Sequence, residues 1–214
     1  MVRLFASMMF IAIAAGNAFA ADPLWEKATK VAQSSNWKPN GIDVQAVASD
    51  GKTQTGRESI VYEVRSNAPA YAVVVRHIVN DEETGANVGD RVPLKDLYSA
   101  VQRLFDPDQQ RSVDVVRKDD VVIDGKKAVN FEFKMPGARG RATLLEANGY
   151  PIAASWELTP ASAGMRTSST RVAYVTDADG TWHPRTLITT AVLDVPEAPG
   201  VPSHFTMTFG FHVR

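Results

Sequence analysis

Apolar positions recur along this chain with two different periods, and the switch between them divides it. Asp22-Pro23 reads as an N-cap followed by proline at the first helical position. Leu24, Trp25, Ala28, Val31 and Ala32 follow at helical spacing, which predicts a helix over Pro23–Ser34. Trp37-Lys38-Pro39-Asn40-Gly41 stops it. The period then falls to two. Ile42, Val44 and Ala46 alternate with Asp43 and Gln45, and Ser49-Asp50-Gly51-Lys52 signals a tight turn. A second strand over Glu58–Ser66 places Ile60, Tyr62 and Val64 on one face. A third, Tyr71–Val79, is apolar almost throughout, as in a strand covered on both faces.

A second helix is predicted over Pro93–Phe105, where Leu94, Leu97, Tyr98, Val101, Leu104 and Phe105 form one stripe. Beyond it the helical period disappears. Ser112–Arg117, Val121–Ile123, Lys127–Lys134, Arg141–Glu146, Ile152–Leu158, Thr170–Val175, Thr181–Val192 and His204–Arg214 read as strands. Asp124-Gly125 and Asn148-Gly149-Tyr150-Pro151 are hairpin turns between them. Consecutive hairpins imply an antiparallel meander. A sheet this wide must curl, split or close to hide its apolar face. The predicted class is therefore mainly β (α+β), a strongly curved antiparallel sheet forming an open half-barrel. The N-terminal and mid-chain helices are expected to cover its concave side.

The N-terminus has a pattern of its own. Arg3 precedes a 12-residue apolar run, Leu4–Ala15, broken only by Ser7, and Ala18-Phe19-Ala20 supplies small residues at a cleavage site. These are the three parts of a signal peptide, and the run falls short of the roughly 20 residues that span a membrane. Met1–Ala20 is expected to be removed, leaving 21–214 as one domain. The absence of cysteine excludes disulfides, thiolate metal sites and a lipidated N-terminal cysteine. Periplasmic localisation is expected, with full secretion as the alternative. No other segment approaches membrane-spanning length.

Charge narrows the partners. Cleavage removes Arg3 from the 23 basic residues and none of the 24 acidic ones, leaving 22 against 24 and a net charge of −2. Nucleic acid as a partner calls for a basic excess, which is missing.

Candidate chemistry is sparse. His77, His183, His204 and His212 lie in no metal-ligand spacing. His204 and His212 share a strand but stand about 27 Å apart at about 3.4 Å per residue. No G-x-S-x-G elbow, phosphate loop or dinucleotide fingerprint occurs. No catalytic residue, metal or cofactor is expected. A hydrolase would require a Ser/His/acid convergence visible only in three dimensions. The apolar inventory says more. Phe131, Phe133, Trp156, Tyr174, Phe205, Met207, Phe209 and Phe211 lie on strands of the same sheet. Such side chains either fill a concave face or line a cavity, and both outcomes use the same residue types.

Three stretches carry a family likeness. Asp124–Phe133, Gly140–Pro151 and Asp179–Pro184, with Trp25 in the first helix, resemble the LolA/LolB-like outer-membrane lipoprotein carrier and sorting superfamily. The resemblance implies a non-enzymatic half-barrel that binds lipid or the acyl chains of a lipoprotein, with envelope proteins as further partners. The implied lining is Ile60, Tyr62, Val64, Val129, Phe131, Phe133, Trp156, Phe209 and Phe211, with Leu97 and Val101 facing it from the helix. Arg57 and Arg65 stand near the place of the family's lid-holding arginine, but the residues around them do not reproduce that pattern. The alternative is an interaction or structural module with a filled core, using the Asp81–Asp90 and Pro196–Pro202 loops.

Overall fold

The structure is a computed structural model that describes residues 22–35, 37–49, 53–65, 69–96, 103–105, 110–158, 165–194 and 202–213. The signal peptide expected at Met1–Ala20 lies outside the described residues, as do Leu97, Val101 and most of the Pro196–Pro202 loop.

Helix α1 covers Pro23–Ser34, as its apolar spacing predicts. The Asp22 carboxylate accepts from the Leu24 amide at 2.8 Å, satisfying one of the amides that a helix start leaves open. Pro23 stands where no intrahelical donor is needed. Of the expected second helix, Leu94–Asp96 are helical and Arg103–Phe105 form a 3₁₀ turn. Pro93 belongs to a short strand instead.

Among the described residues twelve strands make one antiparallel sheet: β1 Pro39–Ser49, β2 Thr53–Arg65, β3 Tyr71–Val79, β4 Glu82–Thr84, β5 Arg91–Pro93, β6 Asp114–Ile123, β7 Lys126–Met135, β8 Ala138–Leu145, β9 Pro151–Leu158, β10 Met165–Thr176, β11 Trp182–Asp194 and β12 Pro202–Val213. Their order is β4-β3-β2-β1-β12-β11-β10-β9-β8-β7-β6, with β5 beside β3. The path has two ends, so the sheet is curled but not closed into a barrel.

Three features depart from the strand pattern read along the chain. The meander is not sequential throughout, because β1 pairs with β12, Ile42 facing Phe211 and Val44 facing Phe209. The two short strands expected at 112–117 and 121–123 are one strand, β6. There a β-bulge lets Lys118 and Asp119 together oppose Asn130, between the Arg117–Phe131 and Asp120–Val129 pairs. The turn-rich 81–89 stretch contains β4, which together with β5 covers part of β3's far edge.

The face that carries α1 is the inner one. Val129, Phe131 and Phe133 of β7 point to it, and Leu144, Ala142, Ala154, Trp156, Val172 and Leu187 continue the layer across β8 to β11. Gly140 shows how tightly these strands approach. A Cβ there would stand 1.9 Å from the Ser155 carbonyl oxygen and 2.8 Å from the Phe133 ring. Gly149, at φ +76°, brings the β8–β9 hairpin against α1, where a Cβ would meet the Lys27 Cβ at 2.6 Å.

Candidate functional site

Alternation along the strands gives the sheet one apolar face, and α1 packs on the part formed by the larger cluster. Trp25 lies with its ring centroid 5.6 Å from Phe105, 5.6 Å from Phe131 and 6.3 Å from Phe133. Its indole N–H donates to the Gln110 side-chain oxygen at 2.9 Å, so the buried donor is satisfied. Tyr174 and Trp182 stack at 4.6 Å, and Phe105 meets both edge-on. Burial pushes the Tyr174 phenol far above its ordinary range. Four of the expected lining residues, Val129, Phe131, Phe133 and Trp156, sit in this packed cluster and are almost fully buried.

A second, smaller cluster lies under the other half. Ile42, Tyr62, Ala72, Val74 and Leu94 form it, with Ile60, Val64 and Val92 half-buried against it. Burial raises the Tyr62 phenol, and the Glu58 carboxylate raises it further.

Between the clusters runs β12. Phe209 and Phe211 pack against both. Phe205, Met207, Phe209, Phe211 and Val213 are all half-buried rather than buried. Val44 and Ala46 of β1 stand opposite Phe209 and Met207 and are half-buried too. Trp37 closes one end with a T-shaped contact to Phe211 at 6.2 Å. The result is a continuous apolar strip with residual exposure, flanked by two packed clusters.

One polar pair borders this strip. His77 is buried, and its ring nitrogens face the Ala86 carbonyl at 2.8 Å and the Glu58 carboxylate. Glu58 stands opposite Val44, so it places a carboxylate on the strip's edge.

The outer face has its own grouping. The Asp43 carboxylate accepts from the Ser59 hydroxyl at 2.7 Å and lies 2.7 Å from His212 Nε2. The Ser59 hydrogen bond is the main cause that lowers the Asp43 pKa, His212 adds to it, and partial burial opposes both. Arg57, Gln45, Asp81 and Thr208 complete an open depression of about 460 Å³. This is a Ser/His/acid convergence, but the acid stands in the middle. Ser59 and His212 each bond Asp43, which is not the nucleophile-to-base contact of acyl-transfer chemistry. His183 is held between Asp177 at 3.1 Å and the Pro184 carbonyl at 2.9 Å. Among the described residues no group of three His, Asp or Glu side chains is placed to hold a metal ion. Among them also, no helix is long and apolar enough to cross a membrane.

The expected lining residues are thus distributed over three places. Val129, Phe131, Phe133 and Trp156 lie in the packed cluster under α1, Tyr62, Ile60 and Val64 in the second cluster, and Phe209 and Phe211 on the strip between. Leu97 and Val101 are outside the described residues. Phe205, Met207, Val44 and Ala46 share the strip without having been in the expected set. The unbroken alternation of β12 was the signal that marks the first two. Glu58 with His77 has no counterpart in sequence spacing, because the pair forms across β2 and β3.

No protein-family model and no curated protein matches the chain. Among solved structures it is similar to a LolA superfamily protein from Nitrosomonas europaea, at 12% identity over 89% of this chain and 92% of that one, with a TM-score of 0.40. It is also similar to a DUF1329 family protein from Desulfovibrio piger, at 10% identity over 87% and 90%, TM-score 0.38. A third is the lipoprotein LppX of Mycobacterium tuberculosis, at 13% identity over 88% and 91%, TM-score 0.27.

Proposed function

We propose that the chain is a non-enzymatic periplasmic protein, exported through Met1–Ala20, that takes a hydrophobic ligand on the inner face of its half-barrel. The ligand class is a lipid or the acyl chains of a lipoprotein. The observation that carries this reading is the half-buried strip of Phe205, Met207, Phe209 and Phe211 with Val44 and Ala46. Packed clusters flank it on both sides. Ile60, Tyr62 and Val64 border it, and Leu97 and Val101 belong to the proposed lining from the mid-chain segment. Burying about ten CH₂ groups there supplies about 8 kcal/mol before the costs of association. Against an association cost of about 4–15 kcal/mol, one such chain binds marginally, and tight binding takes a longer or a second acyl chain.

A second reading is favoured by one observation. Trp25, Phe131, Val129 and Leu144 leave no free surface under α1. A fully filled inner face would make the protein an interaction or structural module of the envelope.

Native mass spectrometry of the protein purified from the periplasm, with lipid extraction of the same sample, separates the two. A stoichiometric acyl-containing species, lost in Phe209→Asp while the circular dichroism is retained, is the expected result. Phe209 is the position to change, because a charge at Phe131 would sit under Trp25 and test the core instead. A clean apo mass, with no uptake of added fatty acid or lysophospholipid, sinks the lipid reading.

A further inference from the structure

Strand β6 ends the sheet, pairing with β7 on one side and with no described strand on the other. It is ten residues long and exposed over most of its length, with Val116 54% and Val122 70% exposed. A long edge with open backbone groups is a template for another strand, and the charges and bulge at the centre of β6 restrict pairing to a strand that matches them.

The eight inner residues of Asp114-Val115-Val116-Arg117-Lys118-Asp119-Asp120-Val121-Val122-Ile123 are complementary to their own reverse, and only the end pair, Asp114 with Ile123, is not. Antiparallel pairing about a two-fold axis between Lys118 and Asp119 sets Lys118 opposite the partner's Asp119. Arg117 then meets the partner's Asp120. Val116 meets the partner's Val121, and Val115 meets the partner's Val122. Opposite charges face each other across the axis, beside the bonds that Lys118 makes to Glu132 at 3.0 Å and Arg117 to Asp120 at 3.1 Å within the chain, and valine meets valine.

Such pairing works only if facing residues lie on the same side of the sheet. In a regular strand Val115 and Val122 point to opposite faces, and the register fails. The bulge at Lys118 and Asp119 shifts the alternation by one. Val115 and Arg117 oppose Phe133 and Phe131, while Asp120 opposes Val129, so all three stand on the inner face. Val122, two positions beyond Asp120, joins them. The irregularity in the strand is what makes the two-fold register consistent.

We infer that β6 is a homodimer contact, in which a second copy of this chain adds its own β6 to extend the sheet across a two-fold axis. An isologous contact requires this kind of self-complementarity. One strand pair lies at the small end of interface areas, below about 1,200 Å², so the dimer is concentration-dependent. The contact is independent of the ligand reading, since it lies at the sheet's edge.

Sedimentation velocity over a concentration series of the mature chain tests it. Wild type should show a reversible monomer–dimer equilibrium. Lys118→Asp alone, or Asp119→Lys alone, sets two like-charged pairs at the axis and should weaken self-association by about tenfold or more. An equimolar mixture of the two variants restores opposite charges at both positions and should recover the dimer. Thermal melts of each variant check that the fold is kept. A wild type that stays monomeric to its solubility limit overturns the inference. So does a dimer that survives Lys118→Asp, or a mixture no more associated than its components.

Discussion

Gly140 and Gly56 both lie in strands, and the same substitution should destabilise at the first site and not at the second. At Gly140 a methyl group would stand 1.9 Å from the Ser155 carbonyl oxygen. Ordinary contact needs more than about 3 Å, so β8 and β9 must separate by about 1 Å. The obstacle is backbone, so no rotamer change relieves it. The Phe133 ring at 2.8 Å blocks the same volume and is itself packed against Trp25. Overpacking of this kind costs about 1–3 kcal/mol and occasionally more, and the depth of the clash puts Gly140→Ala at about 3 kcal/mol. For a chain of this size each kcal/mol moves Tm by about 2–4 °C, so the melting point should fall by about 6–12 °C. At Gly56 nothing lies within 4 Å of the same methyl position. Removing backbone freedom from the unfolded chain should then make Gly56→Ala neutral or about 0.5 kcal/mol stabilising. Urea unfolding followed by circular dichroism reads both. A loss at Gly140 under about 0.5 kcal/mol, the range of an ordinary surface change, would refute the close approach of β8 and β9.

Two further outcomes follow from the packing and the electrostatics. Trp25→Ala removes the ring that meets Phe105, Phe131 and Phe133 and leaves Gln110 without its indole donor. It should cost about 3–5 kcal/mol in urea unfolding, and a loss under about 1 kcal/mol would mean that α1 does not complete the inner core. Asp43 has a folded pKa below its ordinary value, chiefly through Ser59. Its stabilisation is therefore present above the unfolded carboxylate pKa of about 3.9 and is lost as pH falls through the folded value. Asp43→Asn should lower the urea midpoint at neutral pH and leave it unchanged near pH 2. Equal effects at both would show that Ser59 and His212 do not act on the ionised carboxylate.

Much of the architecture is set by local rules that the sequence carries openly. The Asp22-Pro23 start and the spacing of Leu24, Trp25, Ala28 and Ala32 dictate α1 to its last residue. Period-two alternation in β7 and turn residues at Asp124-Gly125 and Asn148-Gly149 dictate the β6–β7 and β8–β9 hairpins and which face of β7 is apolar. What local rules leave open is anything joined across long stretches of chain. The pairing of β1 with β12 unites two ends of the chain, and no hairpin turn announces it. The two halves of the sheet become one surface only through that pairing. Whether an aromatic residue fills a core or faces a strip was decided the same way. Phe131 and Phe209 occupy equivalent places in alternating strands, yet Phe131 packs against Trp25 of α1 and is fully buried, while Phe209 stays half-buried. Chain alternation fixes the side on which a residue points. What covers that side depends on where a distant helix docks, and only tertiary packing sets it.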